Sequence, residues 1–168
     1  MPGTVAGLAN LPAVPGSSIP AGDGFAEPTM RLSERHYLAL IGHCYDGLPD
    51  EACGMLAGHL RPGSPEPDGR IDAVYPCRNA DASAKTYTVE SRDLIRALRE
   101  AESKGLELVG VFHSHTHTEA WPSATDVRQA MEPNWLYVIV SLKDGDPVLR
   151  SFRIVDGNIG EVPVVLES

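Results

Sequence analysis

The sequence predicts an α/β fold in which a single domain holds one mixed β-sheet flanked by helices. Three observations lead to this prediction: two amphipathic helical segments, a succession of short apolar segments, and a hairpin signal near the C-terminus. The length of 168 residues suits one domain with one hydrophobic core. With 42% hydrophobic and 22% charged residues, the composition is that of an ordinary globular protein.

Apolar spacing and capping residues predict two longer helices and one short helix. Ser33 can cap the first helix, and Gly47 can end it. The apolar residues of this helix recur at the i, i+3, i+4 and i+7 positions of one face, at Tyr37, Leu40, Ile41 and Cys44. Ser91 is predicted to cap the second helix, and Gly105 to close it. The residues expected on the buried face of the second helix are Leu94, Ile95, Leu98 and Ala101. A short third helix is predicted over 123–132.

Seven segments are predicted as strands, because they are short, rich in apolar or β-branched residues and bounded by turn residues. They span residues 52–60, 70–76, 86–89, 106–113, 135–142, 147–155 and 158–166. The segment 135–142 (WLYVIVSL) is almost continuously apolar, which is typical of a central strand buried on both faces. The last two segments flank Asp156-Gly157-Asn158, which favours a hairpin.

The charge of the chain argues against two classes of partner. Its formal net charge is −9 and its pI is near 5.0. A nucleic-acid-binding protein normally presents a basic face, so we expect no nucleic-acid partner. The same charge argues against docking on an anionic membrane, and no apolar run is long enough to cross a bilayer. An acidic balance does not by itself define a partner.

The first 29 residues differ from the remainder of the chain. They contain five prolines among glycines, alanines and serines, and no Lys or Arg occurs before Arg31. They lack the basic start and compact apolar stretch of a secretory signal. They also lack the apolar bulk that would offset the entropy of ordering, so we expect a disordered tail over 1–29 and a folded domain over 30–168. The three cysteines show no paired spacing, which favours a reducing compartment such as the cytoplasm.

The most informative stretch is residues 113–126, HSHTHTEAWPSATD. His113 and His115 are two apart at the end of a predicted strand, so their side chains point to one face and can converge on one ion. Asp126 lies in the first turn of the next helix, and the loop between them is long enough to bring its carboxylate back. Two imidazoles and one carboxylate suit Zn²⁺ and leave a fourth position for water, as in catalytic zinc sites.

Each part of this pattern has an ordinary structural explanation when it is taken alone. A single His-x-His is weak, because surface histidines are common and the chain has six histidines. Ser123 and Asp126 match a capping pattern, so Ser123 could simply begin a helix. His117 and Glu119 match the His-x-Glu of zinc nucleobase deaminases, but the downstream Pro-Cys-x-x-Cys pair of those enzymes is missing. We therefore reject a deaminase.

Taken together, Glu51, His113-Ser114-His115 and Ser123-x-x-Asp126 resemble the JAMM (MPN+) metalloprotease motif, with seven residues between the second histidine and the serine. The resemblance is greatest to the bacterial Mec-type peptidases and covers residues 31 to about 165. It implies a JAMM/MPN fold, which is cytidine-deaminase-like, and one zinc ion per chain. It also implies hydrolysis of the amide between the C-terminal glycine of a ubiquitin-like sulfur-carrier protein and cysteine, which releases cysteine.

The same resemblance implies roles for individual residues. The implied zinc ligands are His113, His115 and Asp126. Glu51 would be the general base, and only the family likeness selects it over the neighbouring Asp50. Ser123 would donate a hydrogen bond to the oxyanion of the reaction. Cys53 is a nucleophile in principle, but its small apolar surroundings favour a buried structural thiol.

Two positions depart from the common JAMM pattern, and several alternatives stay open. Most of the family has proline where this sequence has Thr116, and in this respect the sequence resembles the Mec-like branch. His117 could be a solvated loop residue, a substrate contact or an extra metal ligand, and its place beyond the predicted strand end favours the solvated loop residue. The substrate could instead be a protein–lysine isopeptide or an ordinary peptide. The chain could also be a non-catalytic scaffold of the same fold, although the complete ligand set counts against this. A homodimer is possible, and the sequence does not decide it.

Overall fold

The structure, a computed structural model, describes residues 28–168, which form a mixed sheet with helices on both of its faces. In chain order the elements are β1 (Met30–Ser33), α1 (Glu34–Asp46), β2 (Cys53–Gly58), β3 (Ala73–Cys77), α2 (Ser91–Ser103), β4 (Glu107–His115), α3 (Ala124–Gln129), β5 (Leu136–Ser141), β6 (Val148–Val155), β7 (Asn158–Val162) and β8 (Val164–Glu167). The predicted fold class is confirmed. The tail predicted for residues 1–29 lies, except for its last two residues, outside the described residues.

The main sheet has six strands in the order β3-β2-β4-β5-β6-β7, and within it β4 and β5 are the parallel pair. The other neighbouring strands of this sheet are antiparallel. β5 lies in the middle of the sheet and all six of its residues are buried, as the apolar segment 135–142 predicts. β1 and β8 form a separate two-stranded parallel sheet.

The main sheet separates two apolar cores, and each of the longer helices covers one of them. α1 contributes Leu40 to the core that also contains Phe112 of β4. α2 contributes Ala97 and Ala101 to the opposite core, which contains Val111 of β4. Because side chains alternate along a strand, the residues two and four positions after Val111 also face the side of the sheet that α2 covers.

Several local predictions are confirmed by the geometry of the turns and caps. The side chain of Ser33 accepts a hydrogen bond from the backbone of His36 and so caps α1. Gly105 follows α2 with a φ of 69°, the left-handed conformation that glycine adopts most readily. Asp156 and Gly157 have φ values of 50° and 78°, as a two-residue hairpin turn of type I′ requires between β6 and β7.

Other predictions about the elements are wrong. Residues 86–89 form no strand; Val89 makes only an isolated bridge to Asn79. The cap of α2 is Glu90 and not Ser91, because the Glu90 carboxylate accepts from the backbone of the third helical residue. The predicted strand 158–166 is divided at Pro163, and its second half pairs with β1, a strand that the sequence did not predict. Proline has no N–H to continue a ladder.

The buried face of α2 also differs from the prediction. Ile95 and Leu98 are 48% and 40% exposed, whereas Asp93 is only 3% exposed. The Asp93 carboxylate accepts hydrogen bonds from the backbone and guanidinium of Arg78 and from the guanidinium of Arg96. A charged residue therefore occupies the buried face, because its arginine partners compensate for burial. Within residues 28–168, no helix combines the length and the apolar character that crossing a membrane requires.

Candidate metal centre

Two buried histidines lie at the end of β4, between β2 and β5. β4 continues to His115, two residues beyond its predicted end, so both imidazoles project from regular strand structure. His113 is paired with Ile139 of β5, and His115 with Ser141. Their exposed fractions are 3% and 4%. The neighbouring strands thus fix the backbone of both histidines, and the parity of the strand directs both rings to one face.

Asp126 reaches these histidines from the first turn of α3. Its Oδ2 atom accepts a hydrogen bond of 2.8 Å from the backbone N–H of Ser123, and Ser123 Oγ accepts one of 3.1 Å from the backbone of Asp126. This reciprocal capping box holds the carboxylate at a defined position at the start of the helix. The capping pattern recognised in the sequence is confirmed, and it orients a member of the candidate site at the same time.

The three side chains meet in a small triangle of donor atoms. His113 Nε2 lies 3.1 Å from His115 Nε2, and Asp126 Oδ2 lies 3.2 Å and 3.1 Å from these two nitrogens. Donor atoms that bind one zinc ion tetrahedrally at about 2.0–2.1 Å are themselves roughly 3.3 Å apart. The spacing of the triangle therefore fits a single ion of this size held by three protein ligands.

The protonation of His115 gives a second, chemical test of the site. Its Nδ1 atom lies 2.7 Å from the carbonyl oxygen of Glu119, and since a carbonyl can only accept, Nδ1 carries the proton. In neutral His115 the Nε2 atom then presents a lone pair towards the carboxylate of Asp126 and the ring of His113. Lone pairs that converge in a buried place require a cation, either a proton or a metal ion.

The electrostatic properties of the triangle agree with a site that requires a cation. Burial raises the pKa of Asp126, but the charges and hydrogen bonds of the two imidazoles outweigh burial and hold the pKa well below its usual range. Burial lowers the pKa of His115, but the hydrogen bond and charge of Asp126 outweigh it, so the net pKa is raised. Desolvation prevails at the fully enclosed His113, whose pKa is lowered. The site thus keeps a carboxylate ionised beside an imidazole that stays neutral.

The register of β2 against β4 explains the position of Glu51. Cys53 of β2 is paired with His113, and antiparallel pairing places the residue two positions before Cys53 opposite His115. The Ser114 hydroxyl accepts a hydrogen bond from the backbone N–H of Ala52, and the backbone N–H of Ser114 donates to the Ala52 carbonyl. These two bonds continue the pairing with β4 beyond the first residue of β2. Paired residues share a face, so the Glu51 side chain points to the same side as both histidines.

Glu51 is buried beside the triangle, with an exposed fraction of 6%. Burial raises its pKa to about 8, and the positive charge of His115 opposes this increase. Asp50, the rival position, has the opposite strand parity and lies in a turn, where its N–H donates to the carbonyl of Gly47. Geometry therefore distinguishes two carboxylates that spacing alone could not separate.

A comparison with known proteins identifies the family. Residues 33–155 match the family model described as prokaryotic homologs of the JAB domain. The chain belongs to the JAB domain family. The resemblance that the motif predicts is thereby confirmed, and the candidate metal centre lies within the matched part of this JAB domain.

Related proteins extend this result. The JAB domain is 42% identical over 127 residues to the CysO-cysteine peptidase of Mycobacterium tuberculosis, covering 75% of this chain and 83% of that one. It is 30% identical over 127 residues to the probable TtuB-protein conjugate cleaving protease of Thermus thermophilus, covering 74% of each chain. A solution structure from Desulfitobacterium hafniense has 33% identity and a TM-score of 0.74, covering 83% of this chain and 94% of that one.

The remaining sequence-based site predictions have mixed outcomes. His117 is exposed and follows the end of β4, as expected of a solvated loop residue, and it is not a member of the His-His-Asp cluster. Cys53 is fully buried, and burial raises the pKa of its thiol to about 12, which fits an inert structural thiol. All three cysteines are buried and unpaired.

Sequence reasoning missed the loop of residues 79–88, which lies against the candidate metal centre of the JAB domain. Its Tyr87 stacks on the ring of His113 with a centroid distance of 4.3 Å and an interplanar angle of 21°. Its Ala84 carbonyl accepts from the hydroxyl of Thr116, directly after β4. Only its last residues belong to a predicted strand, 86–89, and their sequence indicates no contact with the histidines. No short-range pattern in the sequence predicts the contact between Tyr87 and His113.

Proposed function

We propose that this chain is a zinc-dependent peptidase that hydrolyses the amide between the C-terminal glycine of a ubiquitin-like sulfur-carrier protein and cysteine. The observation that carries the proposal is the buried triangle of donor atoms from His113, His115 and Asp126, 3.1–3.2 Å apart. The kinship with a CysO-cysteine peptidase, at 42% identity, supports the choice of substrate. The free, buried cysteines support our expectation of a reducing compartment such as the cytoplasm.

The two histidines and the aspartate would hold one zinc ion. When bound, zinc supplies a Lewis acid that polarises a carbonyl group and makes water more acidic. His115 is oriented for this role through its Nδ1–H bond to the Glu119 carbonyl, which leaves Nε2 free to coordinate. Asp126 is oriented through the backbone N–H of Ser123.

Glu51 would act as general base and then as general acid. A carboxylate oxygen of Glu51 accepts a proton from the attacking water as the water oxygen bonds to the glycine carbonyl carbon. The same oxygen later returns this proton to the nitrogen of cysteine, as the carbon–nitrogen bond breaks. Burial raises the pKa of this side chain and the charge of a bound zinc ion would oppose the increase, which suits a group that accepts and then returns a proton near neutral pH.

Ser123 would stabilise the charge that develops on the carbonyl oxygen. Its Oγ atom already accepts from the backbone of Asp126, but this uses a lone pair and leaves the hydroxyl proton free to donate. The capping role and the proposed oxyanion role are therefore compatible in one side chain. Removing one such donor typically lowers kcat by about 10²–10³-fold.

The test is the release of cysteine from a carrier–cysteine adduct, with variants at two adjacent carboxylates. Glu51→Gln should keep its zinc and lose turnover, because the amide cannot accept the proton. Asp50→Asn is the matched control: it makes the same chemical change one residue away, and should keep both zinc and activity. Full turnover in the Glu51 variant would remove this residue from the mechanism. A metal-free wild-type protein without metal-dependent cleavage would instead favour a non-catalytic scaffold.

A second candidate function keeps the same chemistry and changes the leaving group. The relative from Thermus thermophilus is described as a protease that cleaves TtuB–protein conjugates. An isopeptidase acting on a carrier joined to lysine is therefore the alternative. Rates measured side by side on carrier–cysteine, carrier–lysine and a short peptide would distinguish the two. We expect the cysteine adduct to have the highest kcat/KM, and a preference for the lysine adduct would support the alternative.

A further inference from the structure

We propose that Asn79 is a positioning residue, which holds the general base Glu51 and the loop 79–88 in the arrangement that the reaction needs. This inference rests on the proposed function. Asn79 follows β3, and the hydrogen bonds of its side chain within residues 28–168 go to neither histidine of the candidate site and not to Asp126. Its effect on the reaction would pass through the backbone of Glu51, which it contacts directly and which the Ser83 carbonyl of the loop also holds.

The carboxylate of Glu51 needs such support from its backbone. Across residues 28–168, no group donates a hydrogen bond to this carboxylate, although the side chain is buried. Its position is therefore set by the main chain of residues 50–52 and by packing. On one side the main chain is held by Ser114, which exchanges two hydrogen bonds with Ala52. On the other side it is held by Asn79 and the loop.

The Asn79 carboxamide uses all of its hydrogen-bonding capacity at this position. Nδ2 donates to the carbonyl of Glu51 at 3.0 Å and to that of Thr86 at 3.0 Å, with the Ser83 carbonyl a longer contact at 3.4 Å. Oδ1 accepts from the backbone of Asp81 at 3.0 Å and from that of Thr88 at 3.1 Å. A single side chain thus joins the general base to both ends of the loop.

The loop that Asn79 organises touches the candidate site at three points. The Ser83 carbonyl accepts from the backbone N–H of Glu51 at 2.8 Å, so the peptide groups on both sides of the Glu51 Cα atom are held. Ala84 accepts from Thr116, and Tyr87 stacks on His113. Without the carboxamide, these contacts would depend on a loop whose backbone pairing consists of one isolated bridge, between Asn79 and Val89, and a few hydrogen bonds beside it.

The chemistry of the site explains why asparagine is needed there. Two backbone carbonyls face Nδ2 and two backbone N–H groups face Oδ1, so the side chain must offer donors and acceptors at the same time. Aspartate has the same shape but only acceptors when it is ionised. In an Asn79→Asp variant, the oxygen that replaces Nδ2 would meet two carbonyl oxygens, and the Glu51 backbone would lose its donor on that side.

The experiment compares Asn79→Asp and Asn79→Ala with wild type in the carrier–cysteine assay, together with zinc content and thermal unfolding. Asn158→Asp is the matched control, because Asn158 is the exposed first residue of β7 and its side chain forms no hydrogen bond with any of residues 28–168. We expect kcat to fall by roughly 10–100-fold in both Asn79 variants, since small misplacements of catalytic groups cost this much. KM should change less than about threefold, zinc should stay at the wild-type level, and the control should match wild type.

A double-variant measurement tests whether Asn79 acts through Glu51. Added to Glu51→Gln, the change Asn79→Asp should lower the residual kcat less than about threefold, because the base it positions is already gone. A full 10–100-fold further loss would overturn the proposal, as would unchanged kcat in folded Asn79→Asp and Asn79→Ala. If Asn79→Asp does not accumulate as folded protein, Asn79→Ala, which adds no charge, decides by the same criteria. An inactive wild type would refute the proposed function itself and is thereby distinguished from a failure at Asn79.

Discussion

Substitutions at Ser123 separate its two roles, because helix capping and oxyanion stabilisation depend on different parts of the hydroxyl group. Alanine removes both the cap and the donor. Glycine removes the donor but is itself a tolerated N-cap residue, so it costs only a few tenths of a kcal/mol in helix stability. Threonine keeps both the acceptor oxygen and the O–H.

The structure sets the expected loss of stability and the expected loss of activity. The cap bond from the Asp126 backbone to Ser123 Oγ is 3.1 Å long, while the reciprocal bond from the Ser123 backbone to Asp126 Oδ2 survives any change of this side chain. α3 has only six residues, so its cap stabilises a short segment. We expect Ser123→Ala to cost about 0.5–1 kcal/mol in the free energy of unfolding, at the lower end for a lost cap. The lost oxyanion donor should cost about 2.7–4 kcal/mol in the activation free energy.

The assay combines kcat on the carrier–cysteine adduct with urea unfolding of the zinc-loaded protein. Ser123→Ala and Ser123→Gly should both lose about 10²–10³-fold in kcat, although their stabilities differ, whereas Ser123→Thr should retain most of the activity. A kcat loss in the alanine variant that the glycine variant does not share would mean that Ser123 acts only as a helix cap. Wild-type kcat in both would refute the donor role altogether.

Two further predictions concern the fold that carries the site. Gly54→Ala should destabilise the protein by about 1–3 kcal/mol, since the added Cβ atom would lie 2.3 Å from the buried ring of Phe112. Gly42→Ala in α1 should instead stabilise the protein by roughly 0.5–1 kcal/mol, because a Cβ atom there meets nothing within 4 Å. Urea unfolding of the two variants tests this difference in sign. The hydrogen bond from Arg78 lowers the pKa of Asp93, so its carboxylate contributes stability that is present above its unfolded pKa of about 3.9 and is lost as pH falls through the lower folded value. Asp93→Asn should therefore be less stable than wild type at pH 7 and should lose less stability between pH 5 and pH 3; equal losses on acidification would contradict this.

Much of the candidate site was predictable because its ligands lie close together in the sequence. Strand parity places His113 and His115 on one face, and the capping pattern places Asp126 at a helix start, and both are local rules. The choice of Glu51 over Asp50 was not predictable from local rules. It depends on the register of β2 against β4, which is set by long-range pairing.

The parts that sequence reasoning missed have a common physical origin. Most of the predicted strand 86–89 lies in the loop 79–88, which is organised by the side chain of Asn79 and not by a periodic backbone ladder. The prediction for the buried face of α2 is wrong because apolar periodicity favours Ile95 and Leu98. The buried Asp93 is instead stabilised by two arginines, Arg78 from before the helix and Arg96 one turn further along it. Side-chain hydrogen bonds of this kind carry no periodic signal.

The most direct test of the central proposal is the zinc content of three proteins after gel filtration in zinc-containing buffer: wild type, His115→Ala and His117→Ala. The two variants remove the same ring two residues apart, one from the buried triangle and one from the exposed loop. We predict about one zinc ion per chain in wild type and in His117→Ala, and almost none in folded His115→Ala. Equal zinc in wild type and His115→Ala would contradict the proposed site.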